Sequence, residues 1–447
     1  MLTIFSDIHL TDESTAVNVA PEAFEILFNE IQNNANLKNA KEIRIIMLGD
    51  IFDLVRTDYW LKLPIDERPW NGELDINTGM NKNQKIEMHF CEILKNILKT
   101  ASGNSFVNML NSIKNKDLKI PVVVTYVVGN HDRAFNNFVS IKKILQEKLN
   151  NVDSIEFVNS YYNEQYSVLC RHGNEYDKNN YGFDLYNVLL EESGKEKNKD
   201  LFNENIFNVI TIGEVVTCEL MSGLIYRVNK ELNDKEFTKL LMDVNNVRPM
   251  LNVFSWLYWY GQTLNSTKKS VLMKSFAESL EAVVESDLAK KWTMIANPWL
   301  LKWDLIDIFR ILLSLIKGKE FDEVSKYLEI AKWIEKIIPD KDYCLIAAQN
   351  EWEDVKYKNI QYVFYGHTHE SRNNFFQGNT NNTVKMYINT GTYLPYIIQA
   401  EDRNGFAESY QMTLAFVYSK DEDTRGTKNK INPSIDLWNG IKRKLYN

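Results

Sequence analysis

The sequence predicts an α/β domain interrupted by a large helical insertion. Three observations carry that prediction. Short β-branched apolar runs recur along the chain, and each ends in a polar cluster. Amphipathic helical patterns separate the first three runs, and a long stretch between the fourth and fifth shows helical periodicity throughout. Near-continuous apolar strands suit a sheet covered on both faces, and strand–helix–strand alternation suits parallel pairing.

Leu2–Phe5 reads as a strand that enters Ser6-Asp7-Ile8-His9, and a helical pattern occupies Pro21–Gln32. Ile43–Leu48 enters Gly49-Asp50-Ile51-Phe52-Asp53, and a second helical pattern covers Gln84–Thr100. Pro121–Val128 enters Gly129-Asn130-His131-Asp132, and Tyr166–Cys170 enters Arg171-His172-Gly173-Asn174. Residues 185–345 then read as helices. Lys269–Leu288 sets Leu272, Phe276, Leu280 and Val284 at four-residue steps. Asn297-Pro298 has the form of an N-cap before a first-turn proline, and Phe321–Ile338 repeats apolar residues up to Pro339. Strands resume at Ile360–Tyr365, which enters Gly366-His367-Thr368-His369, and at Val384–Asn389 and Gln411–Tyr418. A short C-terminal helix is expected after Pro433. Residues 1–184 and 346–447 are thus expected to form one domain, with 185–345 inserted into it as a cap.

The 447 residues carry 52 Lys+Arg against 60 Asp+Glu, a formal net charge of −8, with 44% hydrophobic and 12% aromatic residues. That apolar content supports a sizeable core and excludes a disordered or collagen-like chain. The acidic balance disfavours a sequence-blind binder of long nucleic acid, which needs a basic face. Cys91, Cys170, Cys218 and Cys344 form no CxxC pair, so neither a disulfide framework nor a thiolate zinc site is expected. The N-terminus starts on a strand rather than on a basic, apolar leader. The longest apolar helix candidate, Trp299–Ile316, carries Lys302, Asp304, Asp307 and Arg310. The expectation is a cytoplasmic chain with no membrane span.

In open α/β sheets, ligands bind beyond the carboxyl ends of the strands, where all five polar clusters fall. Five of the six histidines, His9, His131, His172, His367 and His369, lie in them, with Asp7, Asp50, Asp53 and Asp132. Carboxylate, imidazole and one amide oxygen suit Mn²⁺, Fe or Zn²⁺. His89 sits in a helical pattern and reads as structural. Arg133, Arg171 and Arg372 adjoin the clusters, where they would bind a phosphate or carboxylate or, as the favoured reading, serve in structural ion pairs.

The pattern Asp7/His9, Gly49-Asp50 to Asp53, Gly129-Asn130-His131-Asp132, His172 after a strand, and Gly366-His367 to His369 resembles the calcineurin-like metallophosphoesterases. The resemblance covers about 1–184 and 346–418. It implies a four-layer sandwich, two mixed β-sheets flanked by helices, and a phosphoester hydrolase with two divalent metal ions and a bridging hydroxide nucleophile. Carried over residue by residue, it gives one metal Asp7, His9, Asp50 and His369, and the other Asp50, Asn130, His172 and His367. Two cations about 3.5–4 Å apart repel each other, which is why a shared carboxylate such as Asp50 must stand between them. The resemblance leaves His131 free of metal, facing a phosphate-ester substrate, to stabilise or protonate the leaving oxygen. It makes Asp132 the group that orients His131, and gives Asp53 a supporting place behind the ligands. Asn389-Thr390-Gly391 resembles the family's closing turn, backing the site.

Departures from better-known branches narrow the reading. Leu54-Val55 and Asp132 stand where Ser/Thr phosphatases carry Arg-Gly and Glu. Asp53 stands where purple acid phosphatases need tyrosine, and His131 where UDP-diacylglucosamine pyrophosphatases usually carry Arg. His172-Gly173 to Asp177 resembles the HGxxxD of bacterial phosphoesterases whose substrate is unassigned. Two alternatives remain: a nuclease acting on DNA or RNA ends, and a non-catalytic scaffold on the same fold. Six of the ten tryptophans, Trp256, Trp259, Trp292, Trp299, Trp303 and Trp333, fall in the insertion. They suggest either a self-packed core or a cap whose aromatic face selects the leaving group.

Overall fold

The computed structural model describes residues 1–447 except 115–117, 251, 294, 296–304, 322, 324–341, 358, 378–383, 403, 424–431 and 446–447. Thirteen strands are described: β1 (Leu2–Phe5), β2 (Ile43–Leu48), β3 (Val122–Val127), β4 (Ser154–Val158), β5 (Tyr161–Asn163), β6 (Val168–Cys170), β7 (Val247–Arg248), β8 (Tyr362–Tyr365), β9 (Ser371–Gln377), β10 (Val384–Thr390), β11 (Tyr396–Gln399), β12 (Phe406–Tyr418) and β13 (Ser434–Leu445). They form two mixed sheets, one of eight strands and one of five.

In the first sheet β4, β3, β2 and β1 run parallel, and β12 joins β1 antiparallel. The long β12 carries β13 on one edge, and β1 and β11 successively on the other. In the second sheet β6, β8 and β10 are parallel, edged by antiparallel β5 and β9.

Side chains alternate across a strand, so the central strands feed two cores. Leu2, Ile4, Ile46, Leu48 and Val127 meet Val168, Cys170, Phe364, Met386 and Ile388 in a cluster between the sheets. Phe5, Ile45, Met47, Val124 and Tyr126 face the other way, onto the helices Glu22–Leu37, Ile86–Lys99 and Ala101–Ile113. Leu169, Val363, Tyr365 and Tyr387 cover the outer face of the second sheet against helix Tyr343–Glu351. The layers therefore run helices, sheet, sheet, helix.

Two expectations are corrected. No C-terminal helix follows Pro433: Ser434–Leu445 is β13, paired along the whole of β12 from Ser434↔Tyr418 to Leu445↔Ala407. An exposed thirteen-residue edge on β12 would be an open template, and β13 closes it. Nor is 185–345 helical throughout, because β7 adds to the first sheet parallel to β11. Arg248 precedes Pro249, and a residue before proline is pushed out of the α region into extended backbone.

The Lys269–Leu288 pattern becomes two helices, Ser266–Val284 and Asp287–Trp292, the second capped by the Ser286 side chain. Asn297-Pro298, Trp299, Trp303, Trp333 and nearly all of Phe321–Ile338 lie outside the described residues. Trp256 and Trp292 are buried, and Trp256 stacks on Tyr260 at 5.3 Å. Both tryptophans belong to the same apolar cluster as Phe5 and Ile45, so they serve packing. Among the described residues one helical run, Ile206–Leu232, is long and apolar enough to cross a membrane, and 83% of its apolar window is buried within the fold.

Candidate metal centre

The loops leaving β1, β2, β3, β6 and β8 converge at one end of the two sheets. Main-chain bonds lace the first two together: the Asp7 N–H donates to Gly49 O at 3.1 Å and the His9 N–H to Asp50 O at 3.0 Å. In these loops Asp7, Asp50, His9 and His172 are buried to 1% exposure or less.

Among the described residues three groups of donor atoms form within 4.8 Å: Asp7, His9 and His369; Asp50, His172 and His367; and His9, Asp50 and His131. Asp50 belongs to the second and third groups and His9 to the first and third, so the third group links the other two. His172 Nε2 lies 3.3 Å from Asp50 Oδ2 and 3.2 Å from Asn130 Oδ1. His9 Nε2 lies 3.7 Å from Asp7 Oδ1, 3.8 Å from Asp50 Oδ2 and 2.9 Å from His369 Nε2. Donors bound about 2.1 Å from one cation stand about 3.0–3.5 Å from one another, so the spacing and the hard-donor chemistry fit divalent metal. The structure therefore brings Asp7, His9, Asp50, Asn130, His172, His367 and His369 into one cluster.

The backbone is bent to do this. Asp7, His9, Asp50, His367 and His369 all have left-handed φ, between 50° and 67°. Such conformations cost non-glycine residues about 1–3 kcal/mol each and persist only where surrounding contacts impose them. The glycines give the rings room. Gly49 has φ 81°, and a Cβ there would fall 2.3 Å from His172 Nδ1. A Cβ on Gly129 would fall 2.3 Å from Asp50 Oδ1.

Second contacts fix which ring nitrogen faces inward. His172 Nδ1 donates to Leu48 O at 2.9 Å, leaving Nε2 for the cluster. His9 Nδ1 bonds Asp53 Oδ2 at 3.0 Å, again leaving Nε2. His367 Nε2 sits 3.2 Å from Asp177 Oδ2, which leaves Nδ1. His369 differs: its Nδ1 accepts from Arg248 Nη2 at 2.9 Å, which puts a neutral ring's proton on Nε2.

Burial opposes charge on Asp50, yet His172 and His131 hold its carboxyl well below the usual carboxylate range. Burial alone would lower His172, but Asp50 lifts it to about 10. His9 is likewise raised against its burial, by Asp53 and Asp7. His369 goes the other way, lowered by burial and by Arg248. Protons and a cation compete for the same lone pairs, so metal uptake here releases protons.

Asp132 does not orient His131. Its Oδ1 accepts the Gly129 N–H at 2.6 Å, and its Oδ2 accepts the Ile51 N–H at 2.9 Å and the Tyr126 hydroxyl at 2.5 Å. The turn points this carboxylate back into its own loop, where burial and the charge of Asp50 push it up to about 7. Asp53 takes the expected place: its Oδ2 bonds His9 Nδ1, and its Oδ1 lies 3.0 Å from His131 Nδ1. Asp53 therefore braces His9 and His131 at once. His131, at 12% side-chain exposure, is the most open of the site histidines.

The other expectations separate cleanly. Arg133 pairs with Glu214, Arg171 with Glu351, and Arg372 with Asp342 and Glu370. His89 bonds the Tyr59 hydroxyl at 3.1 Å, away from the cluster. Asn389 donates to Gly366 O at 2.7 Å and Thr390 bonds Ser6 at 2.5 Å, so the Asn389–Gly391 turn backs the β1 and β8 loops.

Sequence reasoning gave no role to Asp177, Arg56 or Arg248. Asp177 had a signal in the segment after His172, whereas Arg248 lies in a stretch read as helix and had none. No family model matches the chain, and no curated protein matches it.

Proposed function

We propose that this chain is a metal-dependent phosphoester hydrolase of the calcineurin-like metallophosphoesterase type. The observation that carries the reading is Asp50, a buried carboxylate grouped with His172 and His367 and standing 3.8 Å from His9 of the Asp7, His9 and His369 group. Asp7, His9, Asp50 and His369 would hold one divalent cation, and Asp50, Asn130, His172 and His367 the other, Mn²⁺, Fe and Zn²⁺ all suiting the donors. The layer order of helices, sheet, sheet, helix agrees with the four-layer sandwich of that family.

When bound, the two cations neutralise phosphoryl oxygens and lower the pKa of water enough to give hydroxide near neutral pH. The protein's own part is positioning and proton transfer. Asp53 stands 3.0 Å from His131 Nδ1, which leaves Nε2 to hold a proton for the departing oxygen. His131 is also the histidine most open to an arriving substrate. Asp132 keeps the turn carrying Asn130 and His131 in shape through Gly129 and Ile51.

A panel of aryl phosphate, bis-aryl phosphate, nucleotides and single-stranded DNA, assayed with Mn²⁺, tests the reading. Hydrolysis of a phosphate ester that disappears with chelator is expected. A protein holding two metals that cleaves none of them is a scaffold, and one that cleaves only DNA is a nuclease.

A further inference from the structure

Among the described residues the buried Arg133 and Arg171, like the half-buried Arg68, meet carboxylates. Arg133 meets Glu214 through two parallel bonds of 2.8 and 2.9 Å, Arg171 meets Glu351 at 2.7 Å, and Arg68 meets Glu219 at 2.6 Å. Two arginines beside the metal cluster are treated differently.

Arg56 lies three residues beyond Asp53 and is 4% exposed. Its Nε and Nη1 have no hydrogen-bond partner. Its nearest carboxylate, Asp53 Oδ2 at 3.4 Å, already bonds His9. A buried guanidinium with idle donors is costly unless something fills them.

Arg248 reaches the same place from β7. Its Nη1 donates to Asn245 O and Val247 O, and its Nη2 to His369. All three acceptors are neutral, and among the described residues no carboxylate stands within ion-pair distance of it. Arg56 and Arg248 each repel the other's charge, and both bear on His369. Two like charges have thus been gathered beside the cluster, and the one carboxylate in ion-pair contact there, Asp53, reaches Arg56 alone. With a cation on His369 Nε2, its Nδ1 must carry a proton, and the Arg248 bond is then donor against donor. An oxyanion accepting from both would resolve that conflict.

We propose that Arg56 and Arg248 form a seat for the non-bridging oxygens of a phosphate dianion, so that the preferred substrate is a phosphomonoester rather than a diester; this rests on the phosphoesterase reading above. A diester offers two non-bridging oxygens and one charge. A monoester offers a third oxygen and a second charge, which two cations alone do not absorb. Guanidinium forks match that geometry.

The test is calorimetry on the Mn²⁺-loaded chain with two probes, inorganic phosphate and dimethyl phosphate. Phosphate should bind at least tenfold tighter. Arg248→Gln and Arg56→Gln should each weaken phosphate by roughly 10–100-fold and dimethyl phosphate less than threefold, with metal content and melting temperature kept. Arg56→Lys replaces Arg56→Gln should the latter fail to fold, and it should lose affinity through the missing fork. Equal affinity for the two probes in the wild type, or unchanged phosphate affinity in the folded variants, overturns the seat. Arginine-dependent phosphate binding without hydrolysis of any ester would leave the seat standing and remove the phosphoesterase reading instead.

Discussion

The two halves of the cluster are held by different parts of the chain. Around Asp50, the His172 and His367 rings are oriented from nearby: by Leu48 O at the end of β2, and by Asp177, five residues past His172. Around Asp7, His9 is braced by Asp53, but His369 takes its contact from Arg248, in the stretch between the two parts of the sandwich. The first arrangement presets which ring nitrogen faces the cluster. The second presets His369 with its proton on the wrong nitrogen. The Asp7 half is therefore tied to whatever Arg248 binds, while the Asp50 half is self-contained.

Removing His131 is expected to have the largest kinetic effect without touching either half. His131→Ala should keep both metals while kcat falls about 10²–10⁴-fold, the range for a lost general acid. The loss should shrink for esters with good leaving groups; an equal loss across leaving groups would mean that His131 stabilises phosphoryl charge.

A smaller effect separates the halves. Asp177→Asn should weaken the metal of the Asp50 half about 10–100-fold, as loss of an outer carboxylate on a ligating histidine does. Arg248→Gln should weaken neither metal, since it frees His369 Nδ1 to carry the proton that metal binding requires. Competition titrations with a chelator decide this, and equal weakening by both variants would erase the contrast between the halves.

The smallest effect is on protons. The His172 pKa of about 10 lies above its ordinary 6.5, so the folded, metal-free chain keeps this proton at neutral pH. Metal affinity should therefore rise with pH up to about 10, with roughly one proton or more released per chain at pH 7. The stabilisation of the metal-free chain by the His172–Asp50 pair is complete below 6.5 and lost as pH rises through about 10. Calorimetry in buffers of different ionisation enthalpy measures the release, and none at pH 7 would contradict the pairing.

What was legible follows the same division. β1 and β2 fall where their apolar runs place them, and the polar residues after the strands do converge, because a short strand and its exit loop are local. β7 was not legible, since it completes a sheet edge distant in sequence, and β13, which returns along the preceding strand β12, was read as a helix. Asp132 was misread because neighbouring residues of one turn point apart. It caps its own loop, while Asp53, from another strand's exit, reaches His131. Arg56 carries no sequence signal at all, because an idle donor is visible only once its surroundings are built.

The central claim is that Asp50 joins two cation sites. Elemental analysis of the purified chain and of Asp50→Ala, after equilibration with Mn²⁺ and removal of free metal, tests it most directly. The wild type should hold about two metals and the variant less than one, since the remaining donors cannot keep two cations close together. A folded Asp50→Ala that retains both metals would contradict the account.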